Sequence, residues 1–216
     1  MAEVTLKGKT VRTNGQLPEI GSAAPDFLLV STALKDVRLS DFTGKNVIMN
    51  IFPSLETRVC AESIRRFNEM ADSLDNTEVL CISRDLPFAH ERFNVKEGID
   101  NVVSLSEMRS NDFGDRYGLR ILDGPFAGLL SRAVVVIDEN HRVIYTQMVE
   151  EISEEPDYES AVAAVVNADA AVSAQGSGDT VAGASGDEFC TKMPTGEHAR
   201  LSDEDEACDD GRSGKI

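Results

Sequence analysis

The chain has 216 residues, 41% of them hydrophobic and 27% charged, as in a globular protein with one full core and some chain left over. A formal net charge of −17 argues against nucleic acid or an anionic membrane as a partner. No apolar run is long enough to span a bilayer, and the N-terminus lacks the apolar core of a signal peptide. We therefore expect a cytoplasmic protein.

The cysteines and histidines are scattered along the chain. The four cysteines are too few and too dispersed for a disulfide scaffold. There is no CxxC pair, and the three histidines are far apart in sequence, so neither a zinc site nor a thioredoxin-type redox pair is expected. A cysteine–histidine hydrolase could be assembled from distant positions, but no local pattern favours one. We expect no metal and no cofactor.

The first half of the chain predicts a strand, a loop and a helix in succession. Residues 4–13 alternate apolar and polar side chains and indicate a β-hairpin. Residues 47–52 are mostly apolar and predict a buried strand, which Pro53 ends because it has no N–H for a sheet. Apolar residues then recur every three or four positions up to Leu74, as on one buried helix face.

The second half alternates the same two kinds of element. Strands are predicted over residues 78–83, 102–105, 132–138 and 143–149, and helices after Pro87, over residues 111–117 and over residues 157–166. Strands that alternate with helices and end in an antiparallel hairpin indicate an α/β sandwich.

Cys60 falls in or near the first turn of the helix that follows Pro53, with Thr57 as a plausible N-cap. The free N–H groups and the dipole of a helix N-terminus favour an anion, so a thiol there ionises more readily and becomes a nucleophile. The alternative is a small cysteine packed as an apolar core residue. Arg58, Arg65 and Arg66 lie nearby in sequence, but the spacing does not show which of them faces the sulfur.

The set Pro53, Thr57 and Cys60, spaced Pro-x-x-x-Thr-x-x-Cys at a strand–helix junction, resembles the active-site motif of the peroxiredoxins. The resemblance implies that the proline shields the cysteine, the threonine hydroxyl bonds to a peroxide, and the cysteine attacks its oxygen. The family's fourth residue is an arginine from a distant strand, and Arg132 directly precedes an apolar strand here. By spacing alone Arg132 could also be a solvated strand end.

Further segments resemble the thiol peroxidase branch of that family, over essentially all of residues 1–167. They are residues 50–54, 79–83, 85–89, 124–125, 132–140 and 155–158. The resemblance implies a thioredoxin-like three-layer α/β sandwich with an N-terminal β-hairpin. It also implies a hydroperoxide substrate, thioredoxin or a similar thiol reductant, and a homodimer.

The chain departs from this family where a second sulfur is needed. Thiol peroxidases generally carry a resolving cysteine directly after an Arg-Phe pair, and here Asn94 stands in that place; Arg65 occupies the position used by other peroxiredoxins. Three sources of the second sulfur stay open: an external thiol or redoxin, a tail cysteine (Cys190 or Cys208), or Cys81, whose apolar surroundings favour an inert core residue.

Residues 168–216 differ in composition from the rest of the chain. They are rich in Gly, Ala, Ser and Asp and contain the acidic run 202–206, so they bury too little apolar surface to offset the entropy of ordering. We expect a folded domain over residues 1–167 and a disordered tail.

Three functions are compatible with these residues. The leading one is a cysteine peroxidase that reduces hydrogen peroxide and organic hydroperoxides through a sulfenic acid and so protects the cell against oxidation. The second is a peroxide sensor that passes oxidation from Cys60 to a partner protein. The third, a binding module with an inactive site, is disfavoured because all four motif residues are present.

Overall fold

The computed structural model describes residues 1–176. The predicted tail therefore lies outside the described residues from position 177 onward, and Cys190 and Cys208 lie there too. None of the helices in residues 1–176 is both long and apolar enough to cross a membrane.

Nine strands, four α-helices and one short 3-10 helix make up these residues. The strands are β1 (Glu3–Leu6), β2 (Lys9–Arg12), β3 (Leu28–Ser31), β4 (Asp36–Arg38), β5 (Asn46–Ile51), β6 (Thr77–Ser83), β7 (Val103–Ser106), β8 (Ala133–Ile137) and β9 (Val143–Met148). The helices are α1 (Arg58–Ala71), α2 (Pro87–Glu97), α3 (Asp112–Arg116) and α4 (Tyr158–Gly176), and the 3-10 helix is Leu39–Phe42.

A seven-stranded mixed sheet forms the centre of the fold. Its strand order is β4-β3-β7-β6-β5-β8-β9, with β5, β6 and β7 parallel and the other pairs antiparallel. The parallel strands are joined through α1 and α2, as the crossover connection of parallel strands requires. All six residues of β5 are buried, which fits a strand covered on both faces.

Side-chain alternation along the strands divides the core into two layers. Met49 and Ile51 of β5 face the layer that contains Phe113 and Tyr117 from the region of α3. Ile48 faces the opposite layer, which contains Phe67 of α1 and Tyr158 of α4, packed edge to face at 5.1 Å between ring centroids. The predicted three-layer thioredoxin-like sandwich is confirmed.

The predicted N-terminal hairpin is also confirmed, as a separate two-stranded antiparallel sheet of β1 and β2. Its apolar side chains form a third small core with Ile121 and Ile152, from the segments before β8 and after β9. The hairpin is therefore packed against segments that lie far from it in sequence.

Two helices end more than one residue away from their predicted ends. Helix α1 ends at Ala71 rather than Leu74, because Asp72 already takes the C-cap position. Helix α4 continues to Gly176, ten residues beyond the predicted end at Val166. The Asn46 amide donates a 2.7 Å hydrogen bond to Asp169, so the described domain extends past residue 167.

Candidate active site

Pro53, Thr57 and Cys60 lie at the junction between β5 and α1, the strand–helix junction that the sequence predicted, and this junction is at the carboxyl end of β5. The strand pairing continues one residue past β5, where the Phe52 N–H donates to Ile82 O at 3.1 Å, and stops at Pro53. Thr57 is the N-cap of α1, with extended backbone angles of −90° and 143°. Its hydroxyl makes no capping bond to the helix backbone and donates a hydrogen bond to the sulfur of Cys60 instead.

Two donors converge on the sulfur of Cys60. The Thr57 hydroxyl lies 2.7 Å from Sγ, and Arg132 Nη2 donates to Sγ at 3.2 Å. Ser54 O is 3.2 Å from the same hydroxyl, and since a hydroxyl has one hydrogen, the shorter contact to sulfur is the better one. A donor hydroxyl and a cation at hydrogen-bond distance stabilise a thiolate. Cys60 is fully buried, so water does not weaken either contact.

Arg132 is 1% exposed, which rules out the alternative of a solvated strand end. It directly precedes β8, and its Nε donates to Ile152 O at 2.9 Å while Nη2 reaches Cys60. Its Nη1 is buried and has no hydrogen-bond partner among the described residues. An unpaired buried donor is costly, so this nitrogen is available to a ligand bound beside the sulfur.

The four predicted residues therefore come together. Pro53, Thr57 and Arg132 line a cavity of about 390 Å³ above the buried sulfur, together with Leu6, Lys7, Arg58, Val59, Phe126, Ile152 and Ser153. A second cavity of about 460 Å³ adjoins it and shares Leu6, Lys7 and Phe126. Two of the arginines that lie near Cys60 in sequence have other partners. Arg65 pairs with Glu97 and Glu62, and Arg66 stacks over Tyr158.

Asp85, which follows β6, holds the loop between Pro53 and Thr57. Its carboxylate accepts hydrogen bonds from Ser54 Oγ and the Leu55 N–H, both at 2.9 Å, and from Ser83 Oγ at 2.8 Å. The sequence analysis assigned Asp85 no such role. Its place two residues after a parallel strand, beside the end of β5, is the signal that could have indicated it.

His90 of α2 extends this network. Its Nε2 lies 3.0 Å from Ser83 Oγ, and because the serine's one hydrogen already goes to Asp85, the imidazole must be the donor. Burial lowers the pKa of His90 to about 4, against the opposing effect of nearby Asp85. His90 is therefore neutral, with its proton on Nε2, near neutral pH.

Glu151 fastens the turn of the N-terminal hairpin at the mouth of the cavity. It accepts hydrogen bonds from the N–H groups of Lys7 at 2.9 Å and Gly8 at 3.0 Å, and from the Thr5 hydroxyl at 2.9 Å. The bonds from Gly8 and Lys7 lower the pKa of Glu151 to about 2. Sequence reasoning missed this residue because its partners lie more than 140 positions away.

Within the described residues, neither Cys81 nor Asn94, which stands where the family usually has its resolving cysteine, offers a second reactive thiol. Cys81 is fully buried in β6, and burial raises the pKa of its thiol to about 12, so it stays protonated. Asn94 exchanges two hydrogen bonds with Ser104, at 3.1 and 3.2 Å. Within residues 1–176 there is no cluster of three His, Cys, Asp or Glu side chains that could hold a metal ion.

Comparison with known proteins agrees with this geometry. The family model described as Redoxin matches residues 19–162. A thiol peroxidase of Corynebacterium glutamicum is 51% identical over 165 residues, which are 76% of this chain and 99% of the relative.

Solved structures show the same fold. A peroxiredoxin-like protein from Aquifex aeolicus has a TM-score of 0.74 at 35% identity, with 77% of this chain and 97% of that chain covered. A thiol peroxidase from Chromobacterium violaceum has a TM-score of 0.71 at 22% identity, with 81% and 98% covered, a likeness that concerns the fold alone.

Proposed function

Since this chain belongs to the redoxin family and, within it, to the thiol peroxidase branch of the peroxiredoxins, we propose that it is a thiol-dependent peroxidase with Cys60 as its nucleophile. The observation that carries the proposal is the convergence of Thr57 and Arg132 on one buried sulfur, with Arg132 Nη1 left free for a ligand.

In the oxidative step the Cys60 thiolate attacks one oxygen of a hydroperoxide. A sulfur–oxygen bond forms as the oxygen–oxygen bond breaks, so sulfur is oxidised to a sulfenic acid and the peroxide is reduced. The departing oxygen takes up a proton and leaves as water or an alcohol. Arg132 Nη1 and the Thr57 hydroxyl would stabilise the negative charge that develops on the peroxide oxygens.

We extend the proposal to both hydrogen peroxide and organic hydroperoxides. The second cavity supports this breadth, because Leu6, Val11, Pro125 and Phe126 give it an apolar lining next to the site. An alkyl chain in that cavity would be removed from water, at about 0.8 kcal/mol for each buried CH₂.

Thioredoxin or a similar thiol reductant is the proposed electron donor, with a cytoplasmic location, because the sulfenic acid must be returned to the thiol by the reducing pool of the cell. The second sulfur comes from an external thiol or from Cys190 or Cys208.

We further propose a homodimer, supported by the exposed apolar side chains of Leu86 and Phe88, which are 54% and 63% accessible beside the Asp85 network. Sedimentation analysis measures the oligomeric state.

The central experiment replaces Cys60 by Ser and measures peroxide consumption with a thiol donor. We expect activity to be lost, because the serine hydroxyl stays protonated. The melting temperature of the variant should equal that of the wild type. The matched control is Cys81→Ser, which we expect to stay active. Retained activity in Cys60→Ser would contradict the proposal. Continuous turnover in the wild type also separates a peroxidase from a peroxide sensor, which would be oxidised once and stop.

A further inference from the structure

The cavity above Cys60 carries positive charge on a strongly acidic chain. Lys7, Arg58 and Arg132 line it, and no acidic side chain does; Glu151 lies outside the lining and bonds to the N–H of Lys7. The whole chain has a net charge of −17, so this local excess of cations runs against the composition. A cleft with one sign of charge raises the local concentration of ligands of the opposite sign.

Arg58 occupies an unfavourable helix position. It is the first residue of α1, whose first turn contains no acidic side chain, although the helix dipole favours acids there and opposes cations. Arg58 is exposed and has no carboxylate partner among the described residues. Helix stability therefore does not explain a cation at this position.

Lys7, from the turn of the N-terminal hairpin, lines the same cavity. Its backbone has a positive φ of 51°, an uncommon conformation for a residue with a Cβ, and Glu151 holds it there through the Lys7 N–H. The lysine side chain has no ion-pair partner within the described part of the chain. Lys9 carries the same charge nearby but lines only the second cavity.

A small neutral peroxide needs no cation at the cavity mouth, whereas the recycling step needs a second sulfur. Within residues 1–176 the only other cysteine, Cys81, is buried and stays protonated, and Asn94 and Arg65 are engaged in hydrogen bonds and ion pairs. These contacts fasten α2, the helix that would have to open for an internal thiol. Apart from Cys190 and Cys208, which lie outside the described residues, the second sulfur therefore comes from an external thiol, and the cationic cavity beside Cys60 can receive it.

We infer that Lys7 and Arg58 select a small thiol that carries a carboxylate as the direct reductant of oxidised Cys60. The inference rests on the proposed peroxidase function and, among the reductants proposed there, it selects a small thiol in place of thioredoxin. Two cations at the mouth would bind the carboxylate, and they would favour ionisation of the incoming thiol.

The recycling step balances with two thiols. The first thiolate attacks the sulfenic sulfur of Cys60, a disulfide bond forms, the sulfur–oxygen bond breaks, and the departing hydroxide takes up a proton to become water. A second thiolate then attacks the sulfur of the bound thiol, which releases a symmetric disulfide and returns Cys60 to a thiolate.

The experiment uses the full chain with Cys190→Ser and Cys208→Ser, so that the tail cannot compete. Cys60 is oxidised with one equivalent of hydrogen peroxide and mixed with 3-mercaptopropionate, 2-mercaptoethanol or cysteamine, which are anionic, neutral and cationic. Quenched samples are followed by intact mass, since the chain has no tryptophan to report the reaction. Rates are compared per thiolate, because the three thiols ionise differently.

We expect the anionic thiol to react about tenfold faster than the neutral one, with the cationic thiol slowest and the difference reduced at about 1 M salt. Lys7→Gln and Arg58→Gln should each slow the anionic thiol about threefold and leave the neutral one unchanged. The control Lys9→Gln should match the parent chain, and Arg58→Lys should keep the preference.

Equal rates for the three thiols, or an effect of Lys9→Gln as large as that of Lys7→Gln, would overturn the inference. The double change Lys7→Gln, Arg58→Gln is also tested in the oxidative step with a carboxylate-bearing and a neutral hydroperoxide. A loss confined to that step would assign the cations to the peroxide instead. Failure of the proposed function itself would look different, because Cys60 would then gain no oxygen at the start.

Discussion

Cys60 is contacted by one side chain that is near it in sequence and by another that is distant. Thr57 comes from three residues before it, whereas Arg132 comes from 72 residues after it and is held by Ile152 O. The planar guanidinium makes two hydrogen bonds at once: Nε donates to the backbone oxygen of Ile152, and Nη2 donates to the sulfur of Cys60. A lysine ammonium could not occupy both positions.

Arg132→Lys is therefore expected to lower kcat/KM for hydrogen peroxide by about 100-fold, the size of effect seen when one donor to a developing charge is lost. Steady-state peroxide consumption with saturating thiol measures it. Arg109→Lys is the control, because Arg109 pairs with Asp36 on the surface and lies outside the cavity. A fully active Arg132→Lys enzyme would contradict the assigned role.

His90 should make stability depend on pH. Burial lowers its pKa in the folded state to about 4, below the ordinary value of 6.5. The unfolded chain therefore binds a proton that the folded chain does not, and stability is lost as the pH falls from about 6.5 towards 4. The shift corresponds to a loss on the order of 3 kcal/mol over this range.

The measurement is urea unfolding at several pH values between 7 and 4.5, compared with His90→Gln. The glutamine amide can still donate to Ser83 but does not titrate, so its curve should be flatter. Burial raises the pKa of Glu107, which opposes the trend where that group ionises, but Glu107 is present in both proteins and cancels in the comparison. Parallel curves for the two proteins would contradict the prediction.

Helix α2 carries Asn94, the position at which the sequence analysis expected a resolving cysteine from the family resemblance. It is tied to its surroundings by Arg92 to Glu56 at 3.0 Å, by Glu97 to Arg65 at 2.9 Å, and by Asn94 to Ser104. The exposed ion pairs contribute little individually, whereas the half-buried amide–hydroxyl exchange contributes about 1 kcal/mol per bond. Asn94 therefore holds α2 in place together with the buried His90, which bonds to Ser83, so a change at Asn94 removes one of the two contacts.

Asn94→Cys is expected to introduce a resolving thiol and to release α2 from Ser104 at the same time. After peroxide treatment a disulfide between Cys60 and the new thiol should form, and thioredoxin-dependent turnover should rise. Peptide mass spectrometry detects the bond. Asn94→Ser is the control that loses the amide without adding a thiol. If no disulfide forms in Asn94→Cys, the alignment of α2 with the family's resolving helix is wrong.

On the scale of the whole molecule, the hairpin at one end of the described chain borders the cavity, and helix α4 at the other end packs on the central sheet. The hairpin bonds to the segment after β9 through the Thr5 N–H and Glu150 O at 2.6 Å and through the Ile152 N–H and Thr5 O at 2.8 Å. Helix α4 covers the sheet on the face that also holds α1, and its Asp169 reaches Asn46 at the start of β5. The fold thus includes residues that composition alone assigned to the tail.

Two truncations test where the domain ends. A chain that stops at Gly176 should melt within about 1 °C of the full chain, because the removed residues have too polar a composition to bury much surface. A chain that stops at Asn167 loses the hydrogen bond from Asn46 to Asp169 and the end of α4. It should melt about 2–4 °C lower, as expected for a loss near 1 kcal/mol. Calorimetry distinguishes these outcomes. Equal melting temperatures for the two truncated chains would place the end of the folded domain at residue 167.

The sequence by itself determined the order of the elements and the position of Cys60 within them. An apolar strand, a proline and a helix with Cys60 in its first turn form one short continuous segment, so local geometry alone presents the thiol at a helix N-terminus. The placement of Arg132 directly before β8 was also readable, because an apolar strand is recognisable from its own residues.

The tertiary structure alone decided which groups support that thiol. Arg132 rather than Arg65 or Arg66 reaches the sulfur, Asp85 holds the loop, and Glu151 holds the hairpin turn. Each of these contacts joins positions at least 30 residues apart, and a hydrogen bond depends on distance and direction in space. Spacing along the chain carries that information within one helix or strand, but not between elements that only the folded sheet brings together.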